Sequence, residues 1–537
     1  VDLFNNTVFD SDTMYYSVGG ADDELVDFAS LVLLLQSENL PATLIFNIAP
    51  GIYDESVDLG VLNLDPSISI LFRSQSGDPS DTELSYSGLQ DFTLRLSSNQ
   101  NISFENISIN RINGFHNIVI TDSDQISFSN CIINNSSDLG QDTNVYGLEI
   151  STSSNIDYTS CDIYVRNQNP WSNSHAHGVV LTGVSDVSFS QCLFYSYARY
   201  GRTHTMRIDD SSNIQIIEST FYDDANTNNG YGGSRVMFEM NTVSSTTIQD
   251  NIFEYDNTLP ISSKLMGFSD VSNSIIINND FINPEGIALD LDMSNSEFSE
   301  NTISQSNGTA LIIRGDNNVL NGLEINSCQG AGVSFLANNS IISNNMLLGV
   351  ENGVGLSVEG SGNFIHTNYI QVNGDLEVSA FLNKGINNEV YYNTFRMDGV
   401  NPNSCSWNDE SISGTVGMNN LLLNYGGGSV LNFTNSTFNF DYNDYYGEGS
   451  VLANIAGAQI LDLPGLQDLG GGDEASLNVN PYLESADNPL PNHSGLNAAA
   501  IPIATIEYDL YGAPRHPSSP DIGVVEFSVG CVYEWAD

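Results

Sequence analysis

Basic residues are scarce in this chain, and their placement is uneven. Arg199, Arg202, Arg207, Arg235 and Lys264 put five of the 13 lysines and arginines into 66 positions. His175, His177 and His204 add three of the seven histidines. Tyr200 and Tyr231 lie in the same stretch, with Trp171, Tyr195, Tyr197 and Tyr222. So do the acids Asp209, Asp210, Asp223, Asp224 and Glu239. These residue types suit a groove for an acidic polysaccharide. Arginine and lysine pair with uronate carboxylates, and tyrosine and tryptophan offer flat faces to sugar rings. β-Elimination on such a chain requires a neutralised carboxylate, a base for the C5 proton and an acid for the leaving oxygen. The five acids are the expected oxygen ligands for calcium. No GxSxG, P-loop, HExxH or dinucleotide fingerprint competes with this reading.

The charge balance narrows the partners. Against the 13 basic residues stand 66 acidic ones, a formal charge of -53. Such a surface repels nucleic acid and anionic membranes. It also repels itself, so salt or divalent cations are expected to support the fold. No apolar run is long enough to span a membrane. The chain opens at Val1 and reads as a mature or trimmed form.

What must position these residues is a repeat. Ile126-Ser-Phe-Ser-Asn-Cys-Ile-Ile133 returns as Ile156-Asp-Tyr-Thr-Ser-Cys-Asp-Ile163 and as Val187-Ser-Phe-Ser-Gln-Cys-Leu-Phe194. Extending the pattern both ways gives a ladder of Asn106, Cys131, Cys161, Cys192, Thr220, Asn251, Asp280, Asn301, Cys328, Asn345, Asn368 and Asn393. A near-periodic unit of this size marks a solenoid. Helical periodicity is absent, and every coil advances in one direction, so the strands stack in parallel. Stacked side chains point the same way, which disfavours disulfide geometry. The ladder cysteines are therefore expected as small buried thiols. Ladder asparagines should bond one another and nearby backbone in a buried bend. Counting from the ladder places His177 over His204, His175 over Arg202, Arg235 near Thr203 and Lys264 two rungs from His204. It also sets Arg207 beside Glu239, which an ordinary ion pair between rungs would equally explain.

Residues 22–38 form the best helix candidate, because Asp22, Asp23 and Glu24 favour its N-terminus. An apolar helix there would cap the first coil. The expected organisation is an N-terminal cap over 1–60, coils over 61–400, and irregular final coils with a closing segment over 401–537. The fold class is all-β, a single right-handed parallel β-helix.

The coils resemble those of the pectate-lyase-like superfamily. The ending is more specific: Asn478-Val-Asn-Pro-Tyr482, Asn497-Ala-Ala-Ala500, Tyr508-Asp-Leu-Tyr-Gly-Ala-Pro-Arg515 and Pro520-Asp-Ile-Gly-Val-Val-Glu526. It is similar to the D-x-x-G-x-P-R…DIG-x-x-E ending of secreted β-helix proteins of Bacteroidetes-type bacteria. This resemblance implies export, to the medium or the bacterial cell surface, with secretion machinery as a partner. Lyases of the superfamily use lysine or arginine as base, with calcium or arginine as neutraliser. Carried over, that puts Lys264, His204 and Arg207 in the catalytic set. It leaves His175, His177, Arg199, Arg202, Tyr200, Tyr231 and Arg235 to bind substrate. Two functions follow, a carbohydrate-binding protein acting as a lyase on uronate glycans, or a non-catalytic surface adhesin or fibre.

Overall fold

The computed structural model describes residues 12–528, apart from 21–22, 38–39, 63, 139–143, 169–174, 200–202, 224–234, 256–262, 283–285, 436–437 and 470–471. The chain is an all-β parallel β-solenoid. A typical coil is His116–Thr121, Asp124–Ser129 and Ile132–Ser137, three strands separated by two tight bends. The next coil repeats it as Val145–Ser151, Ser154–Thr159 and Asp162–Asn167, each strand pairing in parallel with its predecessor. The first two strands of every coil belong to one large sheet, and the third to a second sheet.

Two compact units divide the chain, Val1–Val271 and Ser272–Asp537. In the first, inward-facing rings stack coil on coil. Tyr16, Phe46, Phe72, Phe104, Phe128, Tyr158 and Phe189 have successive ring centroids 5.4, 5.3, 5.0, 4.8, 4.8 and 5.0 Å apart. Parallel in-register stacking brings like side chains together, and each buried ring contributes roughly 1.5–3 kcal/mol of transfer free energy.

The bends explain the abundance of asparagine, serine and aspartate. Asn130, Ser160, Gln191, Glu218 and Asp250 adopt φ of 49°, 52°, 56°, 51° and 56°. This left-handed conformation disfavours β-branched residues and tolerates short polar ones. The residue after each is the ladder position. The structure corrects the ladder at four places: Ile107, Ser219, Asn279 and Leu323 occupy it, not Asn106, Thr220, Asp280 and Cys328. Asn106 is itself the left-handed residue, at φ 57°. Cys328 ends the strand Glu324–Cys328, because coils there have shortened to 22 residues.

Cys131, Cys161 and Cys192 are free and buried, as expected. Each Sγ donates to a backbone carbonyl, Cys131 to Ser129 at 3.4 Å. In the second unit the ladder becomes asparagine. Asn345, Asn368, Asn393, Asn420 and Asn443 follow one another, and each Oδ1 after the first accepts both the backbone N–H and the amide of the preceding coil. The last two rungs lie past residue 400, where regular coils continue to Gly447. A second polar ladder occupies the other bend, where the backbone N–H of Ser296, Asn318, Ser340 and Asn363 each donates to the side-chain oxygen of the next member, ending at Asn388.

The N-terminal helix is shorter than predicted, Phe28–Leu35. Leu25 bridges to Val18 and so extends the preceding strand's pairing. Asp27, not the earlier acids, caps the helix, accepting from Ser30 N at 2.8 Å. Glu55 accepts from the free Phe28 and Ala29 N–H groups at 3.1 and 2.8 Å. Phe28, Leu31 and Leu35 are buried.

The ending does not simply close the last coil. It folds back as a strap along the second sheet of its unit. Tyr392 Oη donates to Ile501 O at 2.6 Å, and Asn419 both donates to and accepts from Ile501. Arg515 is buried, with its guanidinium carbon 3.9 Å from the centre of the Tyr392 ring. Asp509 Oδ1 accepts from Tyr511 N and Ala513 N, and Asp509 Oδ2 from Glu526 N. Asp521 accepts from Ala498 N and Phe527 N at 2.6 Å each. The Asp-x-x-Gly-x-Pro-Arg and Asp-Ile-Gly residues therefore serve as fastenings of this strap.

Candidate functional site

The site is built on the outer face of the first strand of successive coils. Register pairs His116 with Tyr146, Tyr146 with His177, and His177 with His204. Their rings stack, with centroids 4.8, 4.8 and 5.1 Å apart and planes within 17° of parallel. Gly147 and Gly178 follow Tyr146 and His177 because no side chain fits there. A Cβ at either would sit 2.6 or 2.3 Å from a carbonyl oxygen of the next coil. The next outward column carries Val119, Glu149, Val180 and Arg207 in register, followed by Glu239.

Electrostatics tie the two columns together. His116 Nε2 lies 3.1 Å from Glu149 Oε2, and that hydrogen bond holds the carboxyl below its ordinary range. His204 Nε2 lies 3.5 Å from Glu239 Oε2. Arg207 Nε donates to Asp209 at 2.8 Å and lies 3.9 Å from Glu239. Asn241 donates to the other Asp209 oxygen at 2.7 Å. His177, at the centre of the stack, is buried, and its Nδ1 has no hydrogen-bond partner among the described residues. Burial first, then His204, His175 and Arg207, push its pKa down to about 3, so it is a neutral imidazole near pH 7. The strip can therefore present ring edges, their faces being covered by one another, together with two imidazole–carboxylate pairs able to hold or move protons.

The predicted residues separate into groups. His177, His204, Arg207, Asp209 and Glu239 come together. His175 sits at the rim, its ring 6.1 Å from that of His177 and edge-on to it. Arg199 is exposed at the end of Leu193–Ala198. Lys264 begins a strand two rungs from His204 in the same sheet and is half-buried. Arg235 starts the intervening strand. Tyr200, Arg202, Asp224 and Tyr231 lie outside the described residues, as does Trp171. Asp223 is elsewhere, buried on the second sheet and accepting from Thr203 Oγ1. Asp210 is exposed at a left-handed bend. Of the described acids named for calcium, Asp209 and Glu239 both lie beside Arg207, and no group of three or more metal-ligating side chains occurs among the described residues. The sequence reading missed His116, Tyr146 and Glu149. Their signal was in plain view, since Tyr146-Gly-Leu-Glu repeats the frame of His177-Gly-Val-Val. Tyr195, Tyr197 and Tyr222 stand on second-sheet strands.

No family model matches the chain, and no curated protein does. Solved structures do. Pectin methylesterase from Aspergillus niger is 15% identical over 50% of this chain and 87% of its own, with a TM-score of 0.30. The A-module of mannuronan C-5 epimerase AlgE6 from Azotobacter vinelandii is 12% identical over 82% and 91%, with a TM-score of 0.32. The tailspike gp49 of Acinetobacter baumannii bacteriophage Fri1, a capsular polysaccharide depolymerase, is 10% identical over 70% and 63%, with a TM-score of 0.33.

Proposed function

We propose that this protein binds carbohydrate along the His116–Tyr146–His177–His204 strip and acts there as a lyase on uronate glycans, exported to the medium or the bacterial surface. The observation that carries the reading is the strip itself. Four stacked rings, with an imidazole–carboxylate pair at each end, run along the outer side of the first strands, His116 and Tyr146 half-buried and His177 and His204 buried. Imidazole nitrogens, the Tyr146 hydroxyl and the carboxylates are groups that bond sugar hydroxyls. His204 stands beside Arg207, so a proton acceptor and a cation for the uronate carboxylate are neighbours, as elimination requires. The test is incubation with alginate, pectate and glycosaminoglycans, with and without calcium, following ultraviolet absorbance of new double bonds. His204→Ala should abolish the signal. A wild-type protein that yields no signal on any of them, with glycan binding unaltered by Arg207→Ala, ends the lyase reading.

A second reading has its own support. Arg207 is opposed by both Asp209 and Glu239, so the guanidinium of the strip already has anionic neighbours. A charge matched in this way is a poor neutraliser of a substrate carboxylate. It suits a non-catalytic adhesin or surface fibre. Deletion of the protein should then impair attachment and leave growth on polysaccharides unchanged.

A further inference from the structure

The outer face of the second sheet carries an arrangement that the histidine strip does not use. Register stacks Asn110, Asn134, Tyr164, Tyr195 and Tyr222 in one column. Ring centroids are 6.1 Å apart between Tyr164 and Tyr195, and 5.7 Å between Tyr195 and Tyr222. In a parallel column Ser136, Arg166 and Tyr197 are in register. The Arg166 guanidinium carbon lies 5.2 Å from the centre of the Tyr197 ring. The change from asparagine to tyrosine along the column makes a step in the surface. Ile132, Asn134 and Ser136 form the floor, and Tyr164, Arg166 and Tyr195 the wall, of a concavity of about 350 Å³. That volume is within the range of small-ligand sites, about 300–1,000 Å³.

Arg166 distinguishes this place from the histidine strip. It is exposed, and among the described residues it faces no carboxylate, whereas Arg95, Arg207, Arg314 and Lys384 each do. Asp162 is engaged by the Tyr164 hydroxyl, which donates to it at 3.5 Å. A guanidinium held on an aromatic face keeps its planar fork directed at an incoming carboxylate. Tyrosine faces beside it supply area for a ring. The -53 background charge acts against any anion. At physiological ionic strength, however, its reach is limited to about 8 Å, so a nearby unpaired cation decides the local preference.

We propose that this concavity is a second glycan subsite, taking a uronate unit of an acidic polysaccharide with its ring on Tyr164 and Tyr195 and its carboxylate at Arg166. The proposal rests on the carbohydrate-binding reading above, and it assigns binding here, not catalysis.

Calorimetric titration with oligogalacturonate, oligoalginate and a glycosaminoglycan oligosaccharide tests it, with fully methyl-esterified oligogalacturonate as the uncharged control. Variants are Tyr195→Ala, Tyr195→Phe, Arg166→Gln and His204→Ala, each checked for native circular dichroism. Wild type should prefer the acid to its ester. Tyr195→Ala should weaken binding about five-fold through loss of the ring contact, and Tyr195→Phe should restore it. Arg166→Gln should remove the preference for the acid. If Tyr195→Ala and Arg166→Gln bind as wild type, the subsite is overturned and the carbohydrate reading stands. If wild type binds none of the oligosaccharides, the carbohydrate reading fails and the subsite with it.

Discussion

At the scale of single residues, burial decides which groups can act. His177 and His204 share a register and a stack and are both buried, His177 being held neutral, while the rim groups His116, Arg207 and Glu239 keep partial access to solvent. His177 has a consequence for stability. Its folded pKa, about 3, lies below its ordinary value of 6.5. Between those values the unfolded chain binds the extra proton, so stability falls as pH drops through that window. The expected outcome is a thermal midpoint for the first unit that declines from pH 6.5 toward pH 4. His177→Phe, which retains a stacked ring without a titrating nitrogen, should flatten that decline. Scanning calorimetry at several pH values reads this directly, and an unchanged slope would contradict it. Histidine types and positions were legible in the sequence, as was the pairing of Arg207 with Glu239. That His177 and His204 are buried while His116 is not was hidden, because burial depends on neighbours one coil away on both sides.

At the scale of elements, the bends are the part most exposed to misreading. An alternating strand is easy to see, but the left-handed residue and the inward ladder residue that follows it are both short and polar. A slip of one position toward the left-handed residue puts Asn106 in place of Ile107, and a slip the other way, onto the first residue of the next strand, puts Thr220 and Asp280 in place of Ser219 and Asn279. The bend also sets an energetic expectation. Asn393 Oδ1 accepts from both Asn368 N and Asn368 Nδ2, at 3.0 and 2.9 Å in a buried site. Asn393→Ala leaves two buried donors without an acceptor, at a cost of about 1–3 kcal/mol each. Urea unfolding should show a midpoint shift of that order with an unchanged slope. A shift below about 0.5 kcal/mol, the range of ordinary surface changes, would mean that water replaces the amide. The strap carries the same lesson in reverse. Its motif residues were visible, but not that Asp509, Arg515 and Asp521 hold the ending against its own coils.

At the scale of the whole molecule, charge and repetition act together. With 66 acidic and 13 basic residues on a solenoid, like charges recur along the outer faces. Added salt screens them. The thermal midpoint is therefore expected to rise between low ionic strength and 0.5 M sodium chloride, and a midpoint independent of salt would show that local pairs already balance the field. The sequence by itself determined the parallel solenoid, the small buried thiols, the asparagine ladder and the register of His177 over His204. Each of these follows from a repeat that every coil restates, so errors at one coil are checked by the next. Only the tertiary structure decided that His116, Tyr146 and Glu149 complete the strip, that Asp223 faces away from it, and that Tyr164, Tyr195 and Arg166 open onto a different sheet. Those outcomes depend on which side of a bend a residue falls, and a one-residue change in a two-residue side-chain period reverses the face.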